Sequence, residues 1–204
     1  MELRLVTRED FFPGEAEEIR LMFELGLDWL HLRKPGASED EYRAFLLKLS
    51  PLERSRTVLH EHYHLAPELG AGGIHANSRH PFPESQPGVN SRNTFPCALK
   101  LSASCHSLEE LASRRQCFDH LFLSPIFDSI SKAGYASGFT REQLLEAKHK
   151  GLIDNKIIAL GGITYENIPI IRELGFGGVA VLGSVWLADS PLSAFEKLRA
   201  ITRG

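Results

Sequence analysis

Short apolar runs alternate with amphipathic stretches from one end of the chain to the other. Several runs are continuous in leucine or β-branched residues, a pattern typical of strands covered on both faces. Apolar residues spaced three and four positions apart indicate helices between these runs. The predicted strands span residues 3–7, 28–33, 56–60, 72–75, 98–102, 120–124, 156–160 and 178–182. The predicted helices span residues 15–25, 38–49, 107–115, 141–150, 165–174 and 192–201.

The starts of three predicted helices carry the capping-box pattern, a hydroxyl residue followed three positions later by Glu or Gln. Side chains in this pattern satisfy the free backbone N–H groups of a first helical turn. The pairs are Ser38 with Glu41, Ser107 with Glu110, and Thr140 with Gln143.

Eight strands with helices between most of them predict an α/β fold, a (β/α)₈ TIM barrel that occupies residues 1–204 as a single domain. At about 25 residues for each strand–helix unit, the chain lies at the short end of this architecture. A doubly wound open sheet is the competing interpretation, but that fold usually has a glycine-rich turn after its first strand. Residues 7–13 read TREDFFP instead, so the barrel is favoured.

The composition is that of a globular chain, with 43% apolar and 24% charged residues and a formal net charge of −3. Mixed charge of this kind argues against a surface that holds a nucleic-acid backbone. No apolar run approaches the roughly 18 residues of a membrane span, and the first residues lack a signal-peptide pattern. Cys97, Cys105 and Cys117 show neither disulfide nor metal spacing. We expect a cytoplasmic protein without nucleic-acid or membrane partners, and homo-oligomerisation stays open.

Residues 76–96 break the alternation of strands and helices. They contain four prolines, which exclude a long regular helix. A loop of about twenty residues inside a compact domain is uncommon and often functional, although a decayed helix would leave the same pattern. The role of this segment stays open.

In a barrel of this kind the active site lies at the C-terminal ends of the strands. The residues just after each predicted strand are rich in histidine, hydroxyl and basic side chains. They are His31, Arg33, Lys34, His60, Glu61, His62, His75, Asn77, Ser102, Ser104, His106, Ser124, Asp128, Ser129, Ser131, Lys132, Gly161, Gly162, Gly183 and Ser184.

Two glycine turns follow the seventh and eighth predicted strands. Gly161 and Gly162 form the first, and Gly183 with Ser184 forms the second, just before a short helical stretch. Glycines allow an anion to approach backbone N–H groups closely, and the loops after strands 7 and 8 are the recurrent phosphate site of the barrel. The sequence therefore predicts phosphate binding at Gly162, Gly183 and Ser184.

His60, His62 and His64 form an alternating run that would share one face of a strand and could bind zinc. Residues 63–69 have a helical pattern, however, and side chains two positions apart on a helix do not face each other. The favoured interpretation is that only one or two of these histidines point into the site.

The chain resembles the thiamine phosphate synthase and TenI family over residues 3–186. The motifs that carry the resemblance are HLRK at 31–34, RTVLHEH at 56–62, GAGGIH at 70–75, SCHSLEE at 104–110, SPIFDSISK at 124–132, ALGGI at 159–163 and GGVAVLG at 177–183. The resemblance implies a (β/α)₈ barrel that binds small phosphorylated thiazole ligands. In the synthases it also implies a pyrimidine diphosphate and Mg²⁺ or another divalent cation, with no organic cofactor.

The resemblance assigns roles to individual residues. Arg33 stands at the diphosphate-binding arginine of the family, and Ser104 stands at the serine beside the pyrimidine. Ser129, Ser131 and Lys132 replace the Thr, Thr and Lys of the family and keep the hydroxyl groups and the ammonium. Gly162, Gly183 and Ser184 match the phosphate-binding loops.

Departures from the family pattern concentrate at and near the positions that bind the metal ion in the synthases. His31 replaces a glutamine, and Pro35 replaces a lysine two positions after the arginine. The residues His60, Glu61 and His62 stand in place of Asn-Asp-Asp, and His80 aligns with the second metal-binding aspartate. Only Glu61 keeps a carboxylate, whereas Mg²⁺ prefers several hard oxygen ligands. Imidazole at His80 favours a transition metal or no metal.

Three functions follow from the resemblance. The first is a thiamine phosphate synthase-like transferase, in which Arg33 and Lys132 stabilise the departing diphosphate with help from Lys34, Ser104 positions the pyrimidine, and Glu61 holds the metal. The second is a TenI-like thiazole tautomerase that uses one of the histidines His31, His60 and His106 for proton transfer; the TenI histidine itself aligns with Pro125. The third is a non-catalytic paralogue that binds a thiazole or thiamine phosphate.

Overall fold

The computed structural model of the chain describes residues 1–77, 81–82, 98–128 and 138–204. Eight parallel strands form a closed barrel in sequence order, with β8 paired back onto β1. The strands are β1 Glu2–Val6, β2 Trp29–Leu32, β3 Thr57–Leu59, β4 Gly73–Ala76, β5 Lys100–Cys105, β6 His120–Leu123, β7 Ile157–Leu160 and β8 Gly178–Val181. The predicted (β/α)₈ barrel is confirmed.

Helices cover the outside of the barrel. They are α1 Glu15–Glu24, α2 Glu39–Leu46, α3 Pro51–Arg54, α4 Leu65–Leu69, α5 Leu108–Arg114, α6 Arg141–His149, α7 Ile168–Glu173, α8 Gly183–Trp186 and α9 Pro191–Arg203. The capping boxes at Ser38 and Thr140 are confirmed. Ser107 accepts from the backbone N–H of Glu110, but the Glu110 carboxylate bonds the N–H of His106 instead of completing the box.

Apolar side chains divide between the two sides of the sheet. Outward-facing leucines and isoleucines of the strands pack with the apolar faces of the helices into one large buried cluster. Inside the barrel, a second cluster joins Val6, Phe122, Ile158 and Ala180, from β1, β6, β7 and β8. The inward residues of β2, β4 and β5 are polar, among them His31, His75 and Ser102. One half of the barrel interior is therefore apolar and the other half carries imidazole and hydroxyl groups.

The proline-rich segment lies mostly outside the described residues. Its described part includes Phe82, which is buried against the rings of Tyr63 and Phe118 at centroid distances of 5.4 and 5.8 Å. Within the described ranges, no helix is both long enough and apolar enough to cross a membrane.

Candidate active site

Three histidines from neighbouring strands meet inside the polar half of the barrel. His31 lies on β2, His60 follows β3, and His75 lies on β4, and all three are buried. His31 Nδ1 and His60 Nε2 are 3.1 Å apart. The rings of His60 and His75 stack with centroids 4.3 Å apart. We call these three residues the histidine cluster.

Two serines on β5 orient His75. Ser102 Oγ donates to the carbonyl of Ile74 at 3.2 Å, so its single proton is already used. His75 Nδ1 lies 2.9 Å from the same oxygen and must therefore be the donor in that contact. This leaves His75 Nε2 with a lone pair, which accepts from Ser104 Oγ at 2.9 Å.

The other two rings cannot satisfy each other completely. His31 Nε2 and His60 Nδ1 are buried and have no hydrogen-bond partner among the described residues. Whichever ring donates in the 3.1 Å contact, one N–H and one lone pair stay without a partner inside the barrel. Buried polar atoms are rarely left in this state, so the cluster has the character of a binding site.

Burial sets the charge state of the cluster. Desolvation lowers the pKa of His31 and of His60 well below the usual value, and the neighbouring imidazoles add to the effect. Desolvation with the charges of Arg4 and Arg114 lowers the pKa of His75 to about 3. All three rings are therefore neutral at physiological pH.

Arg33 lies just beyond β2 with its side chain half-buried. Thr7 Oγ1 accepts from the backbone N–H of Arg33 and donates to its carbonyl, both at 3.0 Å, which fixes the backbone at this point. The guanidinium donates to Glu9 Oε1 at 2.9 Å. One exposed ion pair therefore holds the cation that the sequence predicts to bind diphosphate.

Lys34 does not join Arg33, which corrects the expectation that both would neutralise diphosphate. Its ammonium is buried and donates to both carboxylate oxygens of Glu15, at 2.6 and 2.8 Å, and to the carbonyl of Asp10 at 2.8 Å. All three of its protons are used in this way. Lys34 is a structural residue that ties the loop after β2 to the start of α1.

Glu61 is also engaged inside the protein. Its Oε2 accepts from the hydroxyl of Tyr42 and from the backbone N–H of Lys34. Burial and the Glu61 charge raise the pKa of Tyr42, so its hydroxyl stays a donor. The carboxylate that the sequence predicts as a metal ligand therefore anchors α2 and the loop after β2.

The alternating histidines do not converge. His62 lies at a φ of +50° and contacts the carbonyl of Ala37 at 3.0 Å, while His64 is exposed and pairs with Glu39. Only His60 enters the barrel, because α4 begins at Leu65. The alternative of a zinc site formed by His60, His62 and His64 is therefore wrong. The favoured interpretation, that only one or two of these histidines point into the site, is confirmed.

His106 lies beyond β5, outside the histidine cluster. Its ring is exposed and its Nδ1 donates to the carbonyl of Ser124 at 3.1 Å, which leaves Nε2 as the lone-pair nitrogen. The structure brings His31 and His60 together but does not add His106 to them.

The glycine turn after β7 packs against the backbone that follows β6. Gly161 and Gly162 have φ of +98° and +63°. A Cβ on Gly162 would lie 2.3 Å from the carbonyl oxygen of Asp128, and one on Gly161 would lie 2.8 Å from Pro125. These glycines are required by close packing, in addition to any role in binding an anion.

Gly183 opens α8 in the turn after β8, with Ser184 next to it. Ser184 Oγ is buried and has no hydrogen-bond partner among the described residues. An unsatisfied hydroxyl beside a glycine turn suits a phosphate oxygen. The predicted residues Ser129, Ser131, Lys132 and His80 lie outside the described residues.

The sequence places His75 among the residues that follow the strands but assigns it no role, and the cluster that it forms was not predicted. Part of the signal was present, since His31, His60 and His75 each follow an apolar run on three successive strands, although His31 pairs with Val58 and not with His60. Alternation along adjacent strands indicates the inner face of the barrel for these side chains, and the register between the strands decides whether the rings meet.

Comparisons with known proteins agree with this geometry. A family model described as thiamine monophosphate synthase matches residues 3–185. The thiamine-phosphate synthases of Bacteroides fragilis and Bacteroides thetaiotaomicron are 25% and 26% identical to the chain, over 97% and 98% of its length and 98% and 97% of their own. The crystal structure of a thiamine phosphate pyrophosphorylase from Bacteroides thetaiotaomicron matches with a TM-score of 0.84 and 36% identity, covering 100% of this chain and 98% of that one. The chain belongs to the thiamine monophosphate synthase family.

Proposed function

We propose that the protein joins a hydroxymethylpyrimidine diphosphate to a thiazole phosphate and releases diphosphate. The family match over residues 3–185 carries this proposal, because it includes the arginine, serine and glycine-turn positions of the site. In the reaction the thiazole nitrogen attacks the methylene carbon of the pyrimidine. A nitrogen–carbon bond forms, the carbon–oxygen bond to diphosphate breaks, and its electron pair leaves with the diphosphate oxygen.

Arg33 supplies the positive charge for the leaving group. Its backbone is fixed by Thr7, while its guanidinium contacts Glu9, its one ion-pair partner among the described residues. A planar guanidinium binds two oxygens of a phosphate at once, and a diphosphate carries more charge than one carboxylate. Diphosphate therefore competes effectively with Glu9 for Arg33. In this proposal Lys132, with Ser129 and Ser131, adds contacts from the segment after β6.

Phosphate on the thiazole occupies the turns after β7 and β8. Ser184 Oγ, which is buried and has no hydrogen-bond partner in the described part of the chain, donates to a phosphate oxygen. The turn at Gly183 presents its backbone N–H groups. Gly162 supports this arrangement by its close approach to Asp128. Ser104 lies on the wall formed by β5, where it positions the pyrimidine ring beside His75.

The described residues do not form the ligand set that Mg²⁺ prefers. Of the two predicted ligands, His80 lies outside the described residues, and Glu61 already accepts from Tyr42 and Lys34 through one oxygen. Mg²⁺ takes several hard oxygen ligands in octahedral geometry. No step of the reaction is therefore assigned to Mg²⁺, and the expectation that the site favours a transition metal or no metal stays a prediction.

The decisive experiment measures diphosphate release from the two substrates, with Mg²⁺, with Mn²⁺ and with a chelator. We expect release only when both substrates are present, together with thiamine phosphate in equal amount. Arg33→Ala removes a charge-assisted contact worth about 1.5–3 kcal/mol. It should lower the affinity for the pyrimidine diphosphate by a factor of about ten or more. Arg172→Ala, at the last turn of α7 away from the barrel mouth, is the matched control and should bind normally. No diphosphate under any metal condition would overturn the proposal.

A second candidate is a histidine-dependent tautomerase. The observation that favours it is the neutral His31–His60 pair, in which one lone pair and one N–H have no partner among the residues that the structure describes. Such a pair can accept a proton at one nitrogen and return it from another. Turnover of a carboxylated thiazole phosphate tautomer, with no diphosphate release from the synthase substrates, would favour this function.

A further inference from the structure

The histidine cluster has the composition of a transition-metal site. One nitrogen from each of His31, His60 and His75 can be chosen so that all three lie within 4.8 Å of one another. Zn–N bonds of about 2.0–2.1 Å place tetrahedral ligand atoms about 3.4 Å apart. His31 Nδ1 and His60 Nε2 already approach this separation at 3.1 Å. The chosen nitrogen of His75 lies within 4.8 Å of the other two, so the three rings move closer together when the ion binds.

Hydrogen bonding also prepares one ring for a metal. Ligating histidines almost always donate their second ring N–H to an oxygen, which fixes the tautomer and the ring orientation. His75 has this arrangement, because its Nδ1 donates to Ser102 Oγ and Ser102 donates to the carbonyl of Ile74. The lone pair of His75 Nε2 meets only the hydroxyl of Ser104, which a metal displaces without leaving a buried charge.

A bound cation removes the competition of His31 and His60 for one proton, and His31 Nε2 and His60 Nδ1 then each carry a proton. With a metal between His31 and His60, the lone pair of each facing nitrogen is used, and the two rings no longer compete for one proton. Phe122 packs against His31 and His75, with ring centroids 4.7 and 4.8 Å away, and gives the site one apolar wall. Arg4 is the buried cation whose charge acts on these rings, and its guanidinium is neutralised by Glu2 at 2.6 Å.

We propose that His31, His60 and His75 bind a Zn²⁺-like transition metal ion inside the barrel, with the fourth position open. Three imidazoles and no carboxylate select borderline metals such as Zn²⁺, Co²⁺ and Ni²⁺ over Mg²⁺. Three protein ligands with one open position are the arrangement of zinc sites that bind a further small molecule. The proposal stands independently of the synthase reaction, because it rests on the buried rings alone.

The test titrates the chelator-treated protein with two metal ions. Binding of Co²⁺ is measured by the visible absorption of the bound ion, and binding of Zn²⁺ is measured by calorimetry. We expect one equivalent to bind, with millimolar Mg²⁺ unable to displace it. His31→Gln, His60→Asn and His75→Asn should each weaken binding at least about tenfold. His64→Gln removes an exposed histidine of the same alternating run and should leave binding unchanged.

Circular dichroism and thermal unfolding establish which variants are folded. X-ray absorption of the wild-type protein loaded with one equivalent of Zn²⁺ decides the question even if all three variants misfold, because it counts imidazole ligands directly. Three imidazoles confirm the site. Absence of stoichiometric binding, fewer than three imidazoles, or unchanged affinity in the folded cluster variants would overturn it.

Discussion

At the turn after β7, the backbone packs so closely against its neighbours that a side chain at position 162 would meet other backbone atoms. Gly162 combines a left-handed φ of +63° with a carbonyl oxygen 2.3 Å from where a Cβ would lie. The sequence predicts that Gly162 allows an anion to approach the backbone closely. The structure shows that the first atoms such a side chain meets belong to Asp128 and Phe127.

Gly162→Ala therefore tests packing separately from backbone conformation. Gly151 has a similar φ of +70° but no atom within 4 Å of its Cβ position, so Gly151→Ala carries the conformational cost alone, about 1–2 kcal/mol. We expect Gly162→Ala to lower the free energy of unfolding by about 1–3 kcal/mol more than Gly151→Ala does. Urea denaturation of both variants measures the difference. Equal costs would show that the turn accommodates a methyl group.

At the element scale, one buried ion pair joins β2 to α1. Lys34 follows β2, and Glu15 is the first residue of α1, so their contact at 2.6 Å fixes the entry of α1 against the barrel. Burial lowers the pKa of Lys34 and raises that of Glu15, and the hydrogen bonds between the two groups oppose both shifts. The pair keeps its charges only because each partner is present.

Removing one partner should be strongly destabilising. Lys34→Met leaves the Glu15 carboxylate buried without its cation, and we expect a loss of about 3–5 kcal/mol in the free energy of unfolding. The double variant Lys34→Met with Glu15→Leu should recover most of this loss, because no unpaired charge remains. Lys150→Met breaks the exposed pair with Glu146 and serves as the control, with little change expected. Additive losses in the double variant would contradict this account.

The elements themselves were largely predictable, and their contacts were not. All eight strands lie where apolar runs predicted them, since period and β-branched content are local properties of the sequence. Helix α3 was missed because it has only four residues, although Ser50 and Glu53 form its capping box. The histidine cluster depends on the register between strands, such as Leu59 opposite Ile74, which sets His60 beside His75. Local pattern does not fix that register.

The contacts of Lys34 and Glu61 could not be predicted from local sequence pattern either. Their positions after β2 and β3 predicted functional groups, yet both are held by buried partners, Glu15 and Tyr42. Those partners lie 19 residues away along the chain, so the contacts arise only when helices pack on the barrel. Arg33, by contrast, keeps a partly exposed guanidinium paired with Glu9, and its role with diphosphate stays a prediction.

On the scale of the whole molecule, a histidine held neutral by partial burial makes the fold sensitive to acid. His120 lies at the start of β6, where desolvation, together with the charge of Arg4, lowers its pKa to about 4. Glu2, Asp119 and Lys100 also act on the ring, the two carboxylates opposing the shift and the lysine adding to it. In the unfolded chain the pKa of histidine is about 6.5. Between pH 6.5 and pH 4, His120 therefore binds a proton in the unfolded chain but stays neutral in the folded chain, which favours unfolding.

His120→Gln should consequently flatten the loss of stability in acid. Between pH 7 and pH 4, the wild type should lose about 1–3 kcal/mol more than the variant, because the variant has no proton to take up at this position. Urea unfolding across this range, in the presence of a chelator, measures the two profiles without a contribution from bound metal. His149→Gln removes an exposed histidine of α6 and should follow the wild-type profile. Parallel profiles for His120→Gln and the wild type would show that His120 takes up its proton equally in the folded and unfolded chains.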